Sequence, residues 1–208
     1  MNRLGWAALV VTSAMLFGCG SSESTPPTRP PVAEQHKSYR PTMPEALAGG
    51  HYKREQDASD PDEGVAELMK GQVQAPTSVF GAYLPANTDE PGSHILTVTG
   101  VYGTVLSPVT ARDELLQVLD SRWEEHSTVV GPRLITPTQS AEPLQCRVSE
   151  KTVTGSDSAY LETSCAWADA SSVVEVVQSM GLNARPEEAD LDAFASTVAA
   201  IRGEVRRS

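Results

Sequence analysis

The sequence predicts an α+β domain. An antiparallel sheet of five to six strands carries two main helices packed on one face, and a disordered tether precedes it. Three observations predict this class. Short apolar–polar alternating runs recur through the second half of the chain. Two longer segments carry apolar residues at helical spacing. A pair of cysteines falls opposite one another if the runs around them form a hairpin.

The strands come in order. Val79 to Leu84 reads as the first, and His94 to Tyr102 as the second, with the turn-rich Asn87 to Gly92 between them. A helix follows, in which Leu115, Leu119 and Trp123 recur every fourth residue beside Leu116, after a capping-box-like Thr110 and Asp113. Val129 to Thr136 returns as a strand broken by Gly131-Pro132. Proline cannot donate to a ladder, so this run marks an edge or a bulge.

Leu144 to Val148 and Leu161 to Trp167 alternate around Thr154-Gly155-Ser156-Asp157. A two-residue turn of the primed kind centred on Gly155-Ser156 places Cys146 opposite Cys165, Leu144 opposite Trp167 and Val148 opposite Thr163. Arg147 and Glu162 become diagonal neighbours on the other side. Turn chemistry, alternation and cysteine placement agree, so a structural disulfide worth about 3 kcal/mol is expected. A redox role is disfavoured by the long separation, which is not C-x-x-C. Val173 to Val177 adds a further strand after the Asp169–Ser172 turn. Pro186 then opens a closing helix lined by Leu191, Phe194, Val198, Ile201 and Val205. Acids stand near its start and Arg202, Arg206 and Arg207 near its end.

Upstream, residues 60–71 read as a short helix, with Asp60 as cap, Val65, Leu68 and Met69 as its apolar side and Gly71 as its stop. Residues 19–59 read as a Pro/Ser-rich tether: SSESTPPTRPPVAEQ lacks apolar surface to offset ordering. Tyr39, Met43, Leu47 and Tyr52 are scattered and suggest no face. The domain proper is expected over residues 77–206.

The first eighteen residues combine Arg3 with an apolar stretch from Leu4 to Phe17, too short for a bilayer core of ~30 Å and suited to a secretory leader. Leu16-Phe17-Gly18-Cys19 resembles the lipobox of bacterial lipoproteins, in which the cysteine is diacylated and the peptide is cut before it. That resemblance implies lipidation at Cys19 and a location on the extracytoplasmic face of the cell membrane. The competing readings are an uncleaved N-terminal helix and a freely secreted product. Cysteine arithmetic favours the lipobox. Of three cysteines, acylation of Cys19 leaves Cys146 and Cys165 to oxidise as a pair outside the cytosol.

The net charge is −11, and removing a leader whose sole charge is Arg3 makes the chain more acidic still. Such a surface repels phosphate backbones and anionic headgroups. No nucleic-acid partner is expected, and membrane attachment must come from the lipid.

Cys165-Ala166-Trp167-Ala168-Asp169, with the upstream Cys146, resembles a family of uncharacterised actinobacterial exported or membrane-tethered proteins. There a CAWAD or CGWAD strand is followed by a valine-rich strand and a closing basic helix. The likeness spans residues 94–205 in order of features and implies the fold and the address, with no activity to carry over.

No nucleotide, metalloprotease or nucleophile-elbow motif is present. His36, His51, His94 and His126 lack metal-ligand spacing, and no cofactor or metal is expected. Trp167 and Asp169 are candidate groove residues beside the disulfide; the plainer reading packs Trp167 on the disulfide and uses Asp169 to cap a turn. Glu124-Glu125-His126 reads as a solvated helix end, and neither Ser127 nor Ser171 has an evident base. The expected role is therefore a non-catalytic binding or interaction module of the cell envelope, with an envelope protein or an apolar ligand as the candidate partner. The alternative is a carrier of a lipid or other apolar ligand between the closing helix and the sheet. A hydrolytic enzyme ranks third.

Overall fold

The computed structural model describes residues 38–55, 63–87, 94–123, 125–152, 159–180 and 184–206. The leader with Cys19, the expected helix cap Asp60, most of the Asn87–Gly92 turn and the Gly155-Ser156 turn lie outside the described residues.

Among the described residues, eight strands form one antiparallel sheet. They are β1 (Ala46–Leu47), β2 (Tyr52–Arg54), β3 (Val73–Pro85), β4 (Leu96–Val105), β5 (His126–Ile135), β6 (Leu144–Thr152), β7 (Ala159–Ala168) and β8 (Ser172–Ser179). Their order across the sheet is β1-β2-β3-β4-β8-β7-β6-β5. Three α-helices accompany them among the described residues: α1 (Glu63–Leu68), α2 (Pro108–Asp120) and α3 (Leu191–Val205).

This corrects the expectation of five to six strands and two helices on one face. The two additional strands, β1 and β2, come from a stretch read as tether. Periodicity could not reveal them, because tertiary contacts hold them. Met43 and Leu47 are buried in the main core. The Glu204 carboxylate accepts from the Ala48 and Gly49 amides at 2.7 and 3.0 Å. Gln178 Nε2 donates to the Tyr52 hydroxyl at 2.6 Å. Strand β3 also begins earlier than residue 77, at Val73, because a register shift between Gln74 and Thr77 accommodates Pro76.

The helices lie on opposite faces. Leu191, Phe194, Val198, Ile201 and Val205 of α3 pack on Leu144, Cys146, Val148, Cys165, Trp167, Val174 and Val176. Val65 of α1, Met69 just after it, and Ala111, Leu115 and Val118 of α2 pack instead with Val73, Val101, Val105 and Val173. Side chains alternate between faces along a strand, so Val173 and Val174 of β8 serve different cores. The run Val173-Val174-Glu175-Val176 is buried throughout, which marks a strand covered on both sides.

Capping differs in detail from expectation. Ser107 is the N-cap of α2 with Pro108 in its first turn, and the Ser107 and Thr110 hydroxyls are 2.9 Å apart. Pro186 opens a separate 3-10 turn, and Asp190 caps α3 by accepting from the Asp192 and Ala193 amides. Gly131-Pro132 does mark both an edge strand and a register shift, between Val130 and Arg133 of β5. Gly100 is required by close strand packing: a Cβ there would meet the Val173 carbonyl oxygen at 2.3 Å.

The strands define two ends of the sheet. At the end we call proximal lie Val105, Ser172, Ala168, Leu144 and Ile135; at the distal end lie Leu96, Ser179, Ala159, Thr152 and His126. The described chain starts at the proximal end. The Tyr39 amide donates to Ser171 Oγ at 2.7 Å, Arg40 stacks 5.1 Å from the Tyr102 ring, and the Thr42 amide donates to the Val205 carbonyl at 2.9 Å.

Candidate functional site: the charged floor beyond helix α2

The predicted cysteine pair is joined. Cys146 and Cys165 are paired in register and disulfide-bonded with both side chains buried. Val148 opposes Thr163, as the hairpin centred on residues 155–156 requires.

Trp167 and Asp169 lie near one another in sequence but do different work. Trp167 is 1% exposed in the core beneath α3, and its indole N–H finds no acceptor among the described residues. Asp169 organises the β7–β8 turn. One carboxylate oxygen accepts from the Ser171 amide and hydroxyl at 2.7 and 2.8 Å and from the Ser172 amide at 2.8 Å. The other binds Arg206, which also reaches Glu142 at 3.1 Å and stacks on Tyr39. The strand that carries Trp167 thus ends in a clasp joining the chain's first described residues to the end of α3. Ser171, held by Asp169 and Tyr39 and buried, is not poised as a nucleophile.

The larger polar assembly was not foreseen. It lies on the α2 face, where that helix ends and its apolar packing stops. Alternation points Arg147 of β6, Ser164 of β7 and Glu175 of β8 to this side. Arg147 donates two hydrogen bonds to Asp120 at the end of α2, at 2.6 and 2.7 Å. It also reaches Glu175 Oε1 at 3.3 Å and Ser164 Oγ at 3.4 Å. Burial opposes the Arg147 charge, but the Asp120 hydrogen bonds and the field of Glu175 outweigh it, so the guanidinium holds its proton more firmly than usual. Burial pushes the Glu175 carboxyl up despite the attraction of Arg147. The firm ion pair is therefore Arg147–Asp120, with bidentate geometry, and Glu175 is the group biased towards neutrality.

Around this buried core runs a more open rim at the distal end. Lys151 pairs with Glu162, and its ammonium stands 4.5 Å from the centre of the Trp123 ring. Trp123 meets Tyr160 edge to face at 6.1 Å. Trp123 therefore lies past the end of α2 rather than in its buried stripe. Burial, assisted by Glu162, raises the Tyr160 hydroxyl to about 12.

His126, expected at a solvated helix end, begins β5 instead and is half-buried, with Nε2 3.2 Å from Asp120. Burial lowers its pKa; Asp120 opposes this, and Arg147 and Lys151 reinforce it. Glu125, His126, Ser127, Glu150 and Thr152 line a shallow polar depression of about 360 Å³ at this corner.

These groups form a charge-compensated floor rather than an acid–base pair open to substrate. Asp120 is shared between Arg147 and His126, and the Ser149 hydroxyl is buried. Sequence signals for the floor existed: Glu175 interrupts a valine run, and Arg147 interrupts the strand bearing Cys146. Their meeting depends on three strands in register, which no local pattern encodes.

Among the described residues, no group of three or more His, Cys, Asp or Glu side chains converges as a metal-ligand set, and no helix is long and apolar enough to cross a membrane. Comparison with protein-family models, with curated proteins and with solved structures finds no match.

Proposed function

We propose that this chain is a lipid-anchored protein of the extracytoplasmic membrane face whose folded part is a non-catalytic interaction module of the cell envelope. The address rests on the leader, the lipobox-like Leu16–Cys19 and the cysteine count. With Cys146 bonded to Cys165, Cys19 is the remaining thiol of three. The likeness to actinobacterial exported proteins with a CAWAD strand is part of the same proposal.

The observation that carries the module reading is the burial of α3's apolar line directly against the sheet. A carrier of a lipid or other apolar ligand needs space between that helix and the sheet. The whole apolar line of α3 is buried there against the disulfide, Trp167 and the inner valines. A binding module suits this rigid scaffold, whose polar distal corner and ten-residue edge strand β5 remain open to a protein partner.

Two measurements test the reading. Intact-mass analysis of the protein from a lipoprotein-processing bacterium should show a chain beginning at an acylated Cys19. Retention of Met1 without acyl chains overturns the address. Native mass spectrometry after mild detergent extraction should show no stoichiometric apolar ligand. A lipid bound one-to-one within the folded part replaces the module by the carrier.

A further inference from the structure

Large apolar side chains left in water are unevenly distributed over this domain. Leu68, Leu106, Val109 and Leu134 are 57%, 56%, 61% and 66% exposed. All four belong to the proximal end. Leu106 directly follows β4, and its amide donates to the Gln72 carbonyl just after the α1 segment that carries Leu68. Val109 stands in the first turn of α2. Leu134 opposes Gln145 near the proximal end of β5, and alternation sets it on the α1/α2 side. The row follows one rim of the sheet, with β4 and β5 four strand spacings apart, about 19 Å. Towards the distal end lie Ile95, Val129 and Trp123, each less exposed than any of these four, and Trp123 is engaged by Lys151 and Tyr160.

Single exposed aliphatics are ordinary, but here the four most exposed large apolar side chains share one end of the sheet, which calls for an occupant. The proximal end is also where the chain arriving from Cys19 joins the domain, through Tyr39 and Arg40. Residues 20–38 reach at most about 65 Å, so an anchor at Cys19 keeps this end within reach of the bilayer at high effective concentration. Cations beside the row are already paired: Arg112 with Asp113 at 2.8 Å, and Lys70 with Glu67. Attraction to anionic headgroups is therefore not the driving force.

We infer that the proximal rim, through Leu68, Leu106, Val109 and Leu134, is a docking surface for the lipid bilayer. It seats the domain with its charged distal corner facing away from the membrane. The inference rests on the anchored reading above. Docking is apolar, needs no anionic lipid and is insensitive to salt.

The test uses the full acylated chain in phosphatidylcholine vesicles containing a nitroxide-labelled phosphatidylcholine quencher. An environment-sensitive fluorophore is attached at Leu106→Cys or Val109→Cys, with Ile95→Cys as the distal control. Fluorophores at 106 and 109 are expected to lose most of their emission, and the one at 95 to keep it, at low and high salt alike. In the Ile95→Cys background, Leu106→Glu combined with Val109→Glu should leave flotation with vesicles intact but let the distal probe become quenched as often as a freely tumbling domain would.

Failure of the chain to float overturns the anchored reading and this inference with it. Flotation with both ends equally quenched, or neither quenched, overturns the docking surface alone. Loss of proximal quenching together with concentration-dependent self-association assigns the rim to a second copy of the chain and also overturns it.

Discussion

The two faces of the sheet solve burial differently. Under α3 the interior is apolar and stapled, with the disulfide, Trp167 and the inner valines filling the layer. Under α2 the interior divides. A valine-rich half packs against Ala111, Leu115 and Val118, and a polar half is filled by Arg147, Asp120, Ser164 and Glu175. An apolar layer is stabilised by the area it removes from water. A charged layer must first offset desolvation, and its groups fit only while every partner stays in place. The α3 face is thus the stabilising side, and the polar half is the side most sensitive to a single lost partner.

The largest effect should come from the α3 face. Trp167→Ala should cost about 3–5 kcal/mol by opening a cavity. Replacing Cys146 and Cys165 together by alanine should cost about 2–5 kcal/mol. Denaturant midpoints measure both, and losses below about 1 kcal/mol would show that this face does not anchor the fold.

On the opposite face two carboxylates should separate. Asp120→Asn leaves the Arg147 guanidinium without its bidentate acceptor and should cost about 2–3 kcal/mol. Glu175→Gln should cost less than about 1 kcal/mol, because burial already biases that carboxyl towards its neutral form. Equal losses would reverse the assignment of the firm ion pair.

The smallest effect is in pH dependence. The folded pKa of His126 lies below its ordinary 6.5, so the unfolded chain binds the proton more readily. Its contribution is present above 6.5 and is lost as pH falls through the lowered value. Glu175 has the opposite sign. Its folded pKa is raised, so its contribution is full below the ordinary carboxylate range and fades as pH rises through the raised value. His126→Gln should flatten the decline of stability between pH 7 and 5 by less than about 1 kcal/mol. Because burial also lowers His94, the decline should flatten further when His94 is replaced as well.

Much of the α3 face was legible from local pattern. Leu191, Phe194, Val198, Ile201 and Val205 repeat at helical spacing, and the hairpin register follows from alternation around a short turn. Both patterns are short-range, so neighbouring residues suffice to specify them. The β5 edge was legible for the same reason, since Pro132 forbids a ladder donor wherever it stands. The candidate site was largely illegible. Arg147 and Glu162 were foreseen as diagonal neighbours on one side, but Arg147 turns to Asp120 and Glu175, which arrive from α2 and β8.

By itself the sequence determined the hairpin, its disulfide and the closing helix, because turn chemistry and side-chain periodicity act over a few residues. Tertiary structure alone decided that α2 and α3 take opposite faces, that residues 46–54 join the sheet, and that a buried arginine meets two acids. Those outcomes depend on which surfaces remain uncovered once the strands have paired. That is a property of the assembled sheet, and no single segment carries it.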